Sequence, residues 1–373
     1  MAGPDDPRQS FQEAMSLIEV ASPAPAPVRR FMGTRAAYLP GSDLKLGGIE
    51  LPRPHKAAFG GHVYAQSSLA ACRVWSDLEN QKGTLPSDKL GLHTIHGYFT
   101  AMGVSALPFI YDITPLTASR TLGTVSITAR QPSVPSTNPA NDFFPAADAA
   151  LPLADPCFVA ICSFKLAEPH SAGVSMQEDP PQTRFASILA SRSSPQAWPP
   201  APPVDIDAMV AMAGSEQVGW FPAVDMKKVD MTAYNDGKPV HERRELMLYR
   251  LLRPLPVDAE WDANAHVVVH AFAADRNGLL MTSNHVGFGW SVGKVASVSN
   301  SFVVHVDAAQ AVMGGDDDGW WVQEASFPRA GSGRGIVMNK IWSPRGVHVA
   351  TEYQDGLVRA FEEREERPEK GKL

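Results

Sequence analysis

The stretch Ala296–His305 reads ASVSNSFVVH, with serine, asparagine and histidine threaded through apolar residues. Strand side chains point to opposite faces in turn. Ser297, Ser299, Ser301 and Val303 therefore share one face, and Val298, Asn300, Phe302 and Val304 share the other. Polar groups on both faces suit either a solvated strand or a site carried into a packed interior. Ser299 becomes a covalent nucleophile only beside an activating base. His305 is a candidate base, with Asp307 at the same strand parity. Further on, Gln354 opens the run QDGLVR that ends at Arg359. A glutamine holds a water or polarises a carbonyl, but it takes up no proton. His285, His96 and Glu324 are the other candidate acid–base groups. Ordinary roles compete with each of these: a lone histidine is more often structural, and Gln354 could satisfy a buried sheet edge. Arg334, Arg345, Arg359, Lys294 and Lys340 suit phosphate oxygens or, equally, solvated strand ends.

The chain around these residues has the composition of a soluble globular protein. Its 373 residues are 44% hydrophobic and 20% charged, enough for two domains. A net charge of −7, from 33 basic and 40 acidic residues, gives no general electrostatic reason to bind nucleic acid. No apolar run approaches the length of a membrane span. Cys72, Cys157 and Cys162 are expected to be reduced and buried, and the last two lack the second ligand pair of a zinc site. The opening MAGPDDPRQS shows no secretory pattern. The expected compartment is therefore the cytoplasm. The closing Lys-Gly-Lys-Leu is a loose likeness of a peroxisomal address, with glycine where serine is the rule.

The elements that must position the site follow from breakers and periodicity. A short helix is expected over Ser10–Ile18, then a strand over Arg30–Leu39. Gly60-Gly61 leads into a helix over Phe59–Trp75 whose many small side chains let it lie close to a sheet. Its first N–H groups are placed to face a carbonyl or phosphate. Strands are expected over His93–Phe99, Phe109–Thr114, Thr121–Gln131 and Cys157–Lys165, with Pro132–Asp155 as an insertion loop. The segment Ser193–Pro203, dense in proline, reads as an extended linker lying outside the domains. The second half repeats the plan. Glu245–Leu252 opens a sheet, and His266–Arg276 is the candidate central helix. Trp320–Phe327, Gly335–Trp342 and Gly346–Ala360 are strands. Asp316–Asp318 marks a turn without the alternating ligands of a calcium loop, and Glu362–Lys372 is a charged tail. One helix followed by several strands, twice over, indicates an α+β fold.

Several ordered blocks resemble the acyl-CoA thioesterase II family. In the first half they are Phe59-Gly60-Gly61-His62-Val63 with Gln66, then His93–Phe99, Phe109–Ile113 and Cys157–Phe164. In the second half they are His266, Asp275-Arg276-Asn277, Ala296–His305 and Gln354–Arg359. The resemblance implies a double hotdog fold, two antiparallel sheets each associated with a long central helix. It implies an N-terminal hotdog domain with an extension over residues 1–165, a linker over 166–210, and a C-terminal hotdog domain with a charged tail over 211–373. It further implies hydrolysis of acyl-CoA, or of another carrier-bound acyl group, by a water set among an Asp, a Gln and a Ser or Thr. Gln354 matches the Gln. The expected Asp falls at Ser299, beside Asn300, the expected Thr near Pro328, and a first-half Arg near Val125. The catalytic candidates are thus Gln354, Ser299, Asn300 and His305, and the substrate-binding candidates are Gly60, Gly61, His96 and Arg359. No cofactor is implied, since coenzyme A is part of the substrate, and a homo-oligomer is an open partner state. With no strand Asp, two alternatives stand beside hydrolysis: a non-hydrolytic acyl-thioester-binding or structural protein, and a repurposed biosynthetic enzyme.

Overall fold

The first central helix, Gly60–Gln81, is buried along most of its length. Ala65, Ser67, Ser68, Ala70 and Ala71 are all at or near zero exposure, and their small side chains let the helix approach the sheet closely. A computed structural model describes residues 6–22, 27–41, 57–85, 89–138, 143–168, 175–213, 221–256, 258, 261–314 and 319–360. Around this helix lie β1 (Leu17–Val20), β2 (Arg29–Gly33), β3 (Leu90–Phe99), β4 (Ile110–Ala118), β5 (Leu122–Arg130) and β6 (Phe158–Leu166). Alternation is clear in β5, where Val125, Ile127 and Ala129 are buried against the helix side.

The second half repeats the pattern with β7 (Val224–Lys228), β8 (Arg244–Leu251), β9 (Val292–Val304), β10 (Trp321–Gly331), β11 (Arg334–Trp342) and β12 (His348–Ala360). Its central helix is Ala263–Ala274, followed after a break by Gly278–His285. All twelve strands join one sheet in the order β1-β2-β4-β5-β6-β3-β9-β12-β11-β10-β8-β7. Read from either end the order is the same six-strand plan, so the two halves are related by an approximate two-fold axis. The axis lies between β3 and β9, which pair antiparallel from Thr94 opposite Val303 to Tyr98 opposite Ser299. Each half thereby covers the strand edge that the other would expose. The two central helices pack on each other beneath this seam. This is the α+β double hotdog arrangement expected from the sequence. Among the described residues, no helix is long and apolar enough to cross a membrane.

Two local expectations are corrected, and one strand, β7, lies where no element was expected. The first helix is only Phe11–Ala14, closed by a Ser10–Glu13 capping box, and the chain then enters β1 through Leu17. β7 was hidden in a segment without strong alternation. The proline-rich segment is packed, not held away from the domains. Phe185 and Trp198 are buried with Leu246, Leu248, Trp320 and Trp342. The apolar area of two aromatic rings outweighs the extended tendency of the prolines. The cysteines are free and buried. Asp316–Asp318 and Glu362–Lys372 lie outside the described residues.

Gly123 on β5 marks the tightest helix–sheet approach. A Cβ built there would overlap the ring of Trp75, which itself stacks on Phe164. Gly123→Ala is expected to destabilise the fold by about 1–3 kcal/mol through overpacking. Urea unfolding of the variant checks this, and unchanged stability would contradict the packing described.

Candidate active site

The site grows from the break between Ala263–Ala274 and Gly278–His285. A helix end leaves carbonyls without intrahelical partners. Here Ala274 O accepts from Gln323 Nε2 (3.1 Å) on β10 and from Asn339 Nδ2 (3.0 Å) on β11. Asn277 adopts the left-handed conformation (φ 63°), which asparagine tolerates better than most residues. The proline-rich segment clamps the break from outside. Arg276 Nη2 donates to Ala201 O (2.9 Å) and Pro202 O (3.2 Å), and Asn277 Nδ2 donates to Pro202 O (2.9 Å). Between these anchors Asp275 turns into the interior, where it is 5% exposed.

Asp275 Oδ1 accepts from Asn300 Nδ2 on β9 (2.9 Å) and from Gln354 Nε2 on β12 (2.5 Å). Gln354 Nε2 also reaches Ser297 Oγ at 2.9 Å. Burial raises the Asp275 carboxyl to about 6, against the opposing pull of Asn300, the Gly61 N–H, Ser297 and Gln354. The Gly61 contact brings in the other half of the molecule. Gly60-Gly61 open the first central helix, and a Cβ on Gly61 would press on Phe59 and on Asp275 Cβ (3.1 Å). A Cβ on Gly60 would sit 3.3 Å from Asp275 Oδ2. The two glycines thus let the positive end of the helix dipole approach the carboxylate. Phe59, Phe221 and Phe272 pack edge-on or stacked beside them and shield this corner from water.

Ser297 reaches the site because β9 is irregular. Asp355 pairs with Ser299, but Gly356 pairs with Ser297, so Val298 is bulged out of the ladder. A bulge inserts one residue and re-aims its neighbours. Strict alternation put Ser297 with Ser299. The bulge instead turns Ser297 to the side of Asn300 and Gln354.

The sequence candidates therefore separate. Gln354 and Asn300 meet at Asp275, and Gly60 and Gly61 abut it. Ser299 is opposite Asp355 and Tyr98, on the outer face of the sheet. His305 is exposed there and bonds Thr351 Oγ1 (2.8 Å), and His96 is exposed on β3. Pro328 is exposed towards the end of β10, within that strand's irregularity between Ser326 and Arg329. Glu324 is engaged by Arg184 (2.8 and 2.5 Å), and His285 lies beside Glu245 (3.0 Å). Arg334 pairs with Asp355 and Lys340 with Glu178. Arg359 lines a surface groove of about 650 Å³ with Phe288, Arg334 and Val358, and neither Asp275 nor Gln354 is part of its wall. The carboxylate that meets Gln354 is that of Asp275 at the helix break, not a group at Ser299, and the hydroxyl beside Gln354 is that of Ser297, not one near Pro328. Sequence reasoning passed over both. The signal for Asp275 was its place in Asp275-Arg276-Asn277, an abrupt polar stop to an apolar helix.

A family model described as acyl-CoA thioesterase C-terminal domain matches residues 71–358. Human acyl-coenzyme A thioesterase 8 is 22% identical over 315 residues, 82% of either chain. The acyl-CoA thioesterase II TesB2 of Mycobacterium marinum superposes with a TM-score of 0.55 at 20% identity, covering 94% of this chain and 98% of its own. A hotdog-fold protein of unknown function from Alicyclobacillus acidocaldarius gives 0.53 at 14% identity, covering 94% and 98%.

The raised Asp275 carboxyl has a consequence for stability. Its folded value, about 6, lies above the ordinary 3.8, so the folded state holds the proton more tightly. The stabilisation from this proton is complete below the unfolded value and is lost as pH rises through the folded one. Asp275→Asn removes the ionisation. Its thermal midpoint is expected to gain on the wild type between about pH 4 and about pH 7. A gap independent of pH would contradict the burial account.

Proposed function

The chain belongs to the acyl-CoA thioesterase family, and from that premise we propose that Asp275, Gln354 and Ser297 activate a water for hydrolysis of an acyl thioester. The observation that carries this is the convergence of a buried ionisable carboxylate, a buried amide and a half-buried hydroxyl at a single point. Both N–H groups of Gln354 are engaged, while its Oε1 has no donor in the structure. A water donating one O–H to Gln354 Oε1 and the other to Asp275 would be held with a lone pair free to attack. Ionised Asp275 takes the proton as the C–O bond forms. The helix start at Gly60 supplies the nearest dipole for the developing oxyanion. When the C–S bond breaks, protonated Asp275 returns its proton to the leaving thiolate, giving the free acid and the thiol.

The proposed substrate is acyl-CoA or another carrier-bound acyl group, with coenzyme A a part of the substrate. Arg359, together with the groove it lines, suits the anionic arm of such a carrier. The alternatives of a non-hydrolytic binder and of a repurposed enzyme drew on the missing strand Asp, and the carboxylate of Asp275 beside Gln354 supports hydrolysis over both.

Purified protein is expected to release thiol from at least one acyl-CoA across a panel of short, long, branched and aromatic acyl groups. Gln354→Ala should lower kcat by about 10²-fold, the scale of losing one preorganised polar group. The acid limb of kcat/KM should lie near the Asp275 value of about 6, with activity rising as the carboxyl ionises. Equal turnover by Gln354→Ala, or no turnover despite acyl-CoA binding, would overturn the proposal.

A further inference from the structure

A second carboxyl lies in the same polar layer, and the reaction as proposed does not use it. Glu352 on β12 is fully buried, two residues before Gln354 on the same face. It stands opposite Asn339 on β11 and opposite Phe302 on β9. Its Oε2 accepts from Asn339 Nδ2 at 2.8 Å, and its Oε1 is 3.5 Å from Asn300 Nδ2. The same Asn300 amide donates to Asp275 Oδ1 at 2.9 Å. One amide group therefore bridges two buried acids.

The hydrogen bonds of the layer favour one protonated carboxyl. Its four side-chain amides are Gln323, Asn339, Asn300 and Gln354. Both N–H groups of each are already directed at acceptors. The atoms left without partners are all acceptors: Gln323 Oε1, Asn300 Oδ1 and Gln354 Oε1. No further side-chain N–H of the layer reaches these atoms. Two ionised carboxylates bridged by the one Asn300 amide would repel each other without a cation between them, whereas one protonated carboxyl removes the repulsion and adds an O–H donor to the layer. Asp275 has the nearby helix start and is the member that ionises. The titratable groups facing Glu352 do not offset a second charge. They are Asp275 at the helix break, Tyr64 from the first central helix and, next to Tyr64, Cys162 of β6. The ionised forms of all three are negative, and Arg276, beside Asp275, turns its Nη2 outward to the proline-rich segment.

We propose that Glu352 is a positioning residue that works as the neutral member of a carboxyl pair, fixing the Asn300 and Asn339 amides around Asp275, and that hydrolysis persists only while Glu352 keeps its proton. Burial and the neighbouring Asp275 both push its carboxyl well above the ordinary range, consistent with this role. The proposal rests on the reading of Asp275 as the base.

Glu352→Gln tests it, because the amide imitates the neutral acid in shape and cannot ionise. The variant is expected to keep kcat/KM at neutral pH within about threefold and to keep the acid limb in place. Its alkaline limb should move upward by about one pH unit or more, or vanish, because the wild-type limb reports Glu352 ionisation. A purely structural Glu352 would leave that limb where it is, and this outcome overturns the proposal. An acid limb shifted to lower pH by about one unit would show that Glu352 is anionic in the working enzyme, which also overturns it. Should Glu352→Gln fail to fold, infrared spectroscopy of the wild type near about pH 8 decides, where ordinary carboxyls are ionised. A protonated-carboxyl band is expected there, and its absence overturns the proposal. If the wild type hydrolyses no acyl-CoA, the reading of Asp275 falls first. If it does, these outcomes bear on Glu352 alone.

Discussion

A carboxylate that must ionise inside a protein requires hydrogen-bond donors fixed in advance, and the second half of this molecule is arranged to provide them. Asp275 sits where a helix stops, between two carbonyl-capping amides and two anchors to the proline-rich segment. Its own donors come from β9, from β12 and from the start of the other half's central helix. Remove any one and the balance tips toward the protonated acid, because desolvation is the largest influence on the group. The glycines at the helix start, the bulge at Val298 and the break at Asp275–Asn277 answer this one requirement.

The approximate two-fold symmetry sharpens the point. The first half has its own bulge, at His93, where β3 meets β6. One residue before the bulge on the outer partner strand, the second half carries Gln354 and the first half carries Cys162. Across the bulge, Ser297 corresponds to Leu92. The first central helix runs unbroken through this region, past Ala70, Ala71 and Cys72. The same backbone plan thus holds an apolar layer in one half and a polar layer in the other. The apolar half contributes packing and its helix start, and the polar half contributes the ionisable group. Neither alone makes the site.

The architecture was legible in the sequence because alternation and small-residue helices follow directly from burial. β5, β6 and both central helices stand close to where periodicity places them. The site was legible only in part. Gln354 and the Gly60-Gly61 pair were visible, the first because it matches the glutamine of the family that the chain resembles, the second because a glycine-led helix is a local signal. The pairing of Asp275 with Ser297 was not. It depends on a bulge, which shifts parity without any mark in ASVSNSFVVH, and on a helix end, which strand logic does not read. Gln323, Asn339 and Glu352 look like ordinary outward-facing polar residues of half-buried strands. Only the three-dimensional pairing shows that they face inward and complete one another. Phe185 and Trp198 show the same limit in the linker, where proline content outweighed two aromatic anchors.

The central claim is that the ionisable group comes from the helix break and not from the β9 strand. Thiol release from an acyl-CoA by Asp275→Asn and Ser299→Ala, side by side at one pH, tests it most directly. The account predicts a loss of about 10³-fold or more in kcat for Asp275→Asn, within the range of general-base removal. It predicts near wild-type turnover for Ser299→Ala, which is on the outer face of the sheet. An active Asp275→Asn, or an inactive but folded Ser299→Ala, would contradict it.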